Sequence, residues 1–283
     1  MSNLGNQSNS IQVMTASKTG LPNLRSYIRD LWARREFAVE MSRANIKSQQ
    51  VNTFIGQFWL VLNPLLLASV YYVLVVMLSG GKNSGGAYFT HLLGGLFIYY
   101  LISGCMSSGA ISITSAGRLI TNTPFPRLLL PLAAVLTSLY RFLPTIPVVL
   151  VFLIGSGQGI QASQIAALFA LIIIIIFSIG LASLFATIQV YFRDTNSFLP
   201  FVNRIWLYIS PVLFYPEQLP TQLQLIAPLN PLYSLIGIWS DTLTRGIIPS
   251  PLVWLTAITW AIIMFVFGTL LFILKESDFA VRL

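Results

Sequence analysis

The chain has 283 residues, of which 55% are hydrophobic and 8% charged. Soluble domains carry about 25% charged residues, so this composition excludes an ordinary water-soluble fold. The formal charge is +8, from 16 Lys and Arg against 8 Asp and Glu. These cations flank apolar runs, which points to a membrane surface and away from nucleic acid. Cys105 is the only cysteine, so neither an intrachain disulfide nor a cysteine metal site can form.

Residues 1–20 are polar and lack the apolar core of a signal peptide; they read as a flexible tail. From 24 to about 47 the pattern predicts one amphipathic helix. Leu24, Ile28 and Leu31 share one face, and Phe37, Met41 and Ala44 continue it, with Arg34, Arg35 and other polar residues elsewhere. Such a helix belongs at the membrane interface, with arginine stems snorkelling to the headgroups. This cytoplasmic interface helix is assigned to 21–50, and a six-span transmembrane domain to 51–283.

A bilayer core takes about 20 apolar residues. The spans are placed at 54–78, 88–113, 128–154, 165–191, 198–215 and 252–274. An even number returns both termini to one side. Lys18, Arg25, Arg29, Arg118, Arg127, Arg193 and Lys275 are among the many cations on that side, whereas only Lys82 and Arg245 lie opposite. The positive-inside rule then makes both termini cytoplasmic. The loop 115–131 is punctuated by Pro124, Pro126 and Pro131, which should end one short helix and start the next. Gly80-Gly81-Lys82 reads as a turn, and Arg193-Asp194 as a local pair pinning the turn after span four.

The segment 216–251 holds two apolar stretches too short to cross, one at 220–227 and one at 231–244. Asn230 is the expected N-cap of the second, with Pro231 at its first position and Gly246 beyond its end. Short and apolar, they read as a re-entrant pair with its corner held against protein.

Arg141 and Arg204 fall inside spans, about 18 Å and 9–12 Å deep at 1.5 Å per residue. A charged side chain at a span centre costs at least about 2.5–3.5 kcal/mol, so each needs a partner or a wet cavity. No span carries an acid, and a phosphate group would suit two arginines. Tyr99, Tyr100 and Tyr208 need hydroxyl partners at mid-depth and are candidates to line a channel. Gly94, Gly95, Gly104 and Gly109 thin span two, for close packing or for a groove. His91, near the outer end of that span, reads as a hydrogen-bonded interface residue. No His/Glu cluster suggests a metal and no nucleophile stands beside a histidine, so neither cofactor nor catalysis is expected.

Several motifs in order resemble those of permease subunits of type-2 ABC exporters, in particular those that export lipid-linked polysaccharide, O-antigen or teichoic acid. They are Gly56, Trp59 and Asn63-Pro64; Asn122, Phe125-Pro126-Arg127 and Leu130-Pro131; Tyr191-Phe192-Arg193-Asp194; Ser210-Pro211-Val212 with Tyr215; Pro220; and Asn230-Pro231-Leu232. The likeness covers about 21–283. It implies a bacterial plasma-membrane protein working as two copies with two copies of a separate ATPase. It also implies that the interface helix and the loop at Asn122–Arg127 contact that ATPase, and that the outer helices with Pro220, Asn230, Pro231 and Trp239 gate the exit. The chain carries no G-x-x-x-x-G-K-[ST] phosphate loop, in keeping with a transport subunit. An exporter of a drug or small lipid fits the same pattern. An integral-membrane glycosyltransferase fits less well because the acids are scattered singly. A proton- or sodium-coupled carrier would want an intramembrane acid or histidine relay, and no internal repeat supports one.

Overall fold

The computed structural model describes residues 23–50, 58–81, 85–157, 159 and 161–282. The tail at 1–20, the start of the first predicted span, Gly56 and Lys82 lie outside the described residues. Every regular element among those described is helical. Among the described residues five helical stretches are long and apolar enough to cross a bilayer: Trp59–Leu78, Gly86–Ser115, Leu129–Gly155, Ser163–Tyr191 and Pro251–Arg282.

The N-terminal region is two helices, α1 (Leu24–Ala33) and α2 (Arg35–Gln50), not the single one predicted; the chain breaks at Arg34. Asn23 caps α1 by accepting from the Arg25 N–H at 3.3 Å. The inward face of α2 is also rotated from the predicted one. Ala38 and Ser42 are buried, Phe37 and Met41 half-buried, and Ala44 exposed.

The helices α3 (Trp59–Leu78), α4 (Gly86–Ser115), α5 (Gly117–Asn122) and α6 (Leu129–Phe142) follow. The predicted third span is interrupted: α6 stops at Phe142 and α7 (Thr145–Gly155) starts after Pro144. Proline has no N–H to give the preceding turn, and its ring crowds the carbonyl four residues back. The helix α8 (Ser163–Tyr191) comes next. The predicted span 198–215 is corrected to α9 (Thr195–Tyr208), which ends at a turn carrying Ser210-Pro211. At 14 residues it extends about 21 Å. Two short helices, α10 (Thr221–Ile226) and α11 (Pro231–Leu243), lead to α12 (Pro251–Lys275), and α13 (Phe279–Arg282) closes the described chain.

The helices α4, α8, α11 and α12 form a tightly packed half. Glycines let backbones touch: a Cβ on Gly268 would lie 2.0 Å from the Gly180 carbonyl oxygen, and one on Gly180 would lie 2.2 Å from that of Met264. The α4 glycines serve close packing as well, for a Cβ on Gly109 would meet Ala182 at 2.6 Å. His91 is buried between Tyr88 and Tyr215, its ring 4.4 Å from that of Tyr215. The interface position expected for it is therefore corrected to a core one. Cys105 is buried in the same core.

Candidate functional site

Three places gather the residues that the sequence singled out. The first is the end of the bundle where α1, the α5 loop and the chain's last helix meet. Glu276, just past α12, ties them together. Its carboxylate accepts from the Tyr27 hydroxyl at 2.6 Å and from the Arg127 backbone N–H at 2.7 Å. Its own carbonyl oxygen accepts from the Arg127 guanidinium. Hydrogen bonds to a charged group contribute about 1.5–3 kcal/mol each. Burial first, and the Glu276 carboxylate second, push the Tyr27 hydroxyl above its usual range, so it keeps the proton it donates. Arg34 donates to the Pro124 carbonyl at 2.7 Å, and the Phe37 and Phe125 rings pack at 5.2 Å.

Arg127 therefore faces Glu276 rather than solvent, half-buried with Phe125 and Pro126. The surface left open on this loop is Arg118, Thr121, Asn122, Thr123 and Pro124. Arg35 is exposed, with its guanidinium over the Trp32 ring at 5.2 Å. Arg193 does not pair with Asp194; it donates to the Arg282 carbonyl at 3.2 Å. Tyr191 donates to Asp278 at 3.0 Å, so the end of α8 joins the same cluster. Glu276 was missed in the sequence. The signal available was slight: an acid directly after the last apolar run.

The second place lies partway along the Leu129–Gly155 stretch. Arg141 lines a cavity of about 280 Å³ with Trp59, Asn63, Tyr100, Ser107 and Ser138. A second cavity of about 380 Å³ also reaches Arg141, from the side of Arg43, Lys47 and Tyr140. Tyr100 and Arg141 are thus brought together. Tyr99 is not with them: it is buried, and its hydroxyl donates to the Asn203 carbonyl, joining α4 to α9. Arg204 and Tyr208 are exposed on α9. The Tyr208 ring meets Tyr71 edge-on at 6.4 Å, and Tyr71 lies within electrostatic reach of Tyr100 and Arg204. The predicted channel residues therefore divide between a cavity, a buried contact and an exposed α3–α9 seam.

The third place is the opposite end. The Asn230 side chain accepts from the Leu232 N–H at 3.1 Å, capping α11 as expected, and from the Trp206 indole at 2.8 Å. It also donates to the Ile209 carbonyl at 3.1 Å. One amide thus fixes the corner to the end of α9, with Pro231 half-buried behind it. Trp239 is buried and donates to the Gly94 carbonyl at 3.1 Å, whereas Pro220 is exposed at the rim. Arg245 pairs with Glu217 and Asp241, each at 2.8 Å, over the Tyr215 ring. Among the described residues no cluster of three or more His, Cys, Asp or Glu could hold a metal.

A multi-helix bundle with a glycine-packed half, and a loop fastened to α1 and to the segment after α12, is a polytopic membrane fold. The family model described as ABC-2 type transporter matches residues 38–244, and the chain belongs to that family. Among its relatives, an O-antigen export system permease protein RfbA from Klebsiella pneumoniae is 29% identical over 213 residues, 75% of this chain and 81% of the relative. A second protein of that name from the same organism is 27% identical over 214 residues, covering 75% and 82%. One from Myxococcus xanthus is 27% identical over 213 residues, covering 74% and 80%.

Proposed function

We propose that this chain is the membrane subunit of an ATP-driven exporter that moves a lipid-linked polysaccharide from the cytoplasmic leaflet outward. Two copies work with two copies of a separate ATPase in the bacterial plasma membrane. The relatives named for O-antigen export support the substrate class. The observation that carries the mechanism is the α5 loop. Its tip at Asn122 and Thr123 is exposed, while its base is held by Arg34, Phe37 and Glu276. A surface held this firmly can pass force from a docked ATPase into α1, α6 and α12 together.

The topology proposed has six crossings with both termini cytoplasmic. Tyr27 and Arg127 bond to Glu276, so α1 and the end of α12 share one side of the bundle. The contact between Tyr191 and Asp278 puts the end of α8 there too. The chain must then cross once more between α8 and α12, and α9 with the turn after it is the segment available. On this reading α10 and α11 enter and return, with Pro220, Asn230, Pro231 and Trp239 forming the outer gate. Tyr100, Arg141, Arg204 and Tyr208 stand along the substrate path, with Tyr99 packed behind them, and residues 51–283 form one transport domain behind the helices at 21–50.

The test is a crosslink from Thr123→Cys in the intact complex, with surface polysaccharide measured in the same cells. Capture of the ATPase is the result expected. Labelling of that cysteine from outside intact cells would refute the topology, and normal surface polysaccharide after deletion of the chain would refute the function.

A further inference from the structure

Two observations single out the groove between α2, α3 and α6. The first is the register of α2 on α6. Ala38 packs near Leu129 and Ala133, Ser42 meets the Thr137 hydroxyl at 3.1 Å, and Ile46 and Lys47 share a cavity with Tyr140 and Arg141. Both sequences advance together, so α2 runs along α6 in the same direction and carries its last turn to the level of Arg141. The second is that the cavities of about 280 and 380 Å³ both include Arg141 and Leu60. They adjoin at these two residues and together make up the groove, with Arg43 and Lys47 lining the larger cavity and Arg141 where the two meet.

We propose that this groove binds the phosphate headgroup of a membrane lipid, held by Arg43, Lys47 and Arg141. Among the described residues, no ion pair or hydrogen bond engages the Arg141 guanidinium. A guanidinium at membrane depth requires an anion or water. The nearest acid on α2 is Glu40, which pairs with Arg43 at 2.7 Å with both side chains about two-thirds exposed. An exposed pair of that kind is screened and weak, so the groove stays positive. Three cations outnumber the charge of one carboxylate and match a phosphate ester or diphosphate. Guanidinium forks grip such oxygens in pairs. The Tyr100 hydroxyl and Asn63 amide line the inner cavity as further donors.

The ligand is a lipid because the walls include Ile46, Leu60 and Pro144, and Leu143 beside them is exposed on the bundle surface. An acyl or isoprenyl chain can lie there while the headgroup turns inward. As the port where an exported lipid-linked cargo presents its phosphate, the groove rests on the function proposed above; as a lipid site it does not.

The full chain in phosphatidylcholine nanodiscs, titrated with farnesyl diphosphate, farnesol and inorganic diphosphate, tests it. Farnesyl diphosphate should bind and farnesol should not. Arg141→Gln should weaken binding about tenfold or more, with Arg141→Lys intermediate because an ammonium is a point charge. The double variant Arg43→Gln/Lys47→Gln should lose a few-fold at low salt and little at about 0.5 M salt, where exposed charges are screened. Phosphatidylglycerol that displaces the probe would identify a bulk phospholipid as occupant, and failure to displace it an isoprenyl phosphate; either supports a lipid-phosphate site. Equal binding of farnesol, or full competition by inorganic diphosphate, would overturn the lipid assignment. So would wild-type affinity in Arg141→Gln. If that variant cannot be recovered folded, wild-type affinity in both Arg141→Lys and the double variant decides against the groove. Binding in a chain that supports no polysaccharide export would sink the proposed function and spare the site. Full export by an Arg141→Gln chain that no longer binds would do the reverse for the port.

Discussion

Helices α3 and α4 have opposite fates. The stretch of α3 is almost purely aliphatic and aromatic, yet only 11% of its most apolar part is buried, against 72% for the Gly- and Ser-rich α4. In water the order would be reversed. In lipid, apolar surface gains little by leaving acyl chains for protein, and close approach of backbones decides which helices associate. The buried residues on α3 are Pro64 and Ala68, both small. On α4 Gly109 lets the α8 backbone approach at Ala182, and Gly94 leaves room for the Thr244 side chain at the end of α11. The molecule thus has a glycine-packed half and a loosely held wall of α3 and α9. The cavity with Arg141 opens at the border between them.

The sharpest way to break this contrast is to fill the packed half. Gly268→Val places atoms where a Cβ already lies 2.0 Å from the Gly180 carbonyl oxygen. The expected cost is about 3 kcal/mol or more, read as loss of folded protein in detergent. Val70→Ala on α3, at 60% exposure, should change stability by less than about 0.5 kcal/mol. Equal effects of the two would end the comparison.

Next in size is the clasp at the bundle end. Glu276→Gln turns an anion that accepts from Tyr27 and Arg127 into a neutral amide. A loss of about 1.5–3 kcal/mol is expected, with export falling further than ATP hydrolysis in the assembled complex. Export and hydrolysis falling in equal proportion would show a structural role alone. Trp239→Phe keeps an edge-on ring contact with Phe142 and removes the bond to the Gly94 carbonyl. Thermal unfolding should register about 1 kcal/mol.

The smallest effect is on acidity at the far end. Burial alone would raise Glu217, but the hydrogen bond and charge of Arg245 outweigh it and hold the carboxyl below its ordinary value near 4.5. Its contribution is therefore complete above about pH 4.5 and is lost as pH falls through the lowered value. Burial raises Asp241 and Arg245 only partly offsets this, so that carboxyl opposes folding as pH rises through its raised value. Unfolding followed from about pH 3 to 6 should show a shallower acid-side decline in Glu217→Gln, whereas an unchanged slope would remove Glu217 from the balance.

Much of this fold was legible because apolar run length is a local property. The Asn230 cap and Pro231 start were read from neighbouring residues, and α11 begins there. The break at Pro144 had its signal in the sequence, overridden by the apolar run around it. The pairing of Arg127 with Glu276 joins residues 149 positions apart, so no local pattern could show that Arg127 turns inward. Arg193 failed for the same reason: the sequence gives the adjacent acid, whereas folding brings the Arg282 carbonyl. Arg141 was found because charge within an apolar run is itself conspicuous, but the cations beside it required the register of α2.

The Glu276 clasp turns α12 into a lever arm. The helix has 25 residues and is about 37 Å long. A tilt of about 5° imposed where Glu276 holds the loop would displace its far end by about 3 Å. Because Gly268 and Gly180 bring α12 and α8 into backbone contact, α8 would be carried along rather than left to slide. The displaced end adjoins Ser234 and Pro228, to which Thr256 and Trp260 are hydrogen-bonded at 3.0 and 2.9 Å. A small rotation at the Glu276 end of the bundle would therefore arrive at the opposite end as a translation of the Asn230 corner.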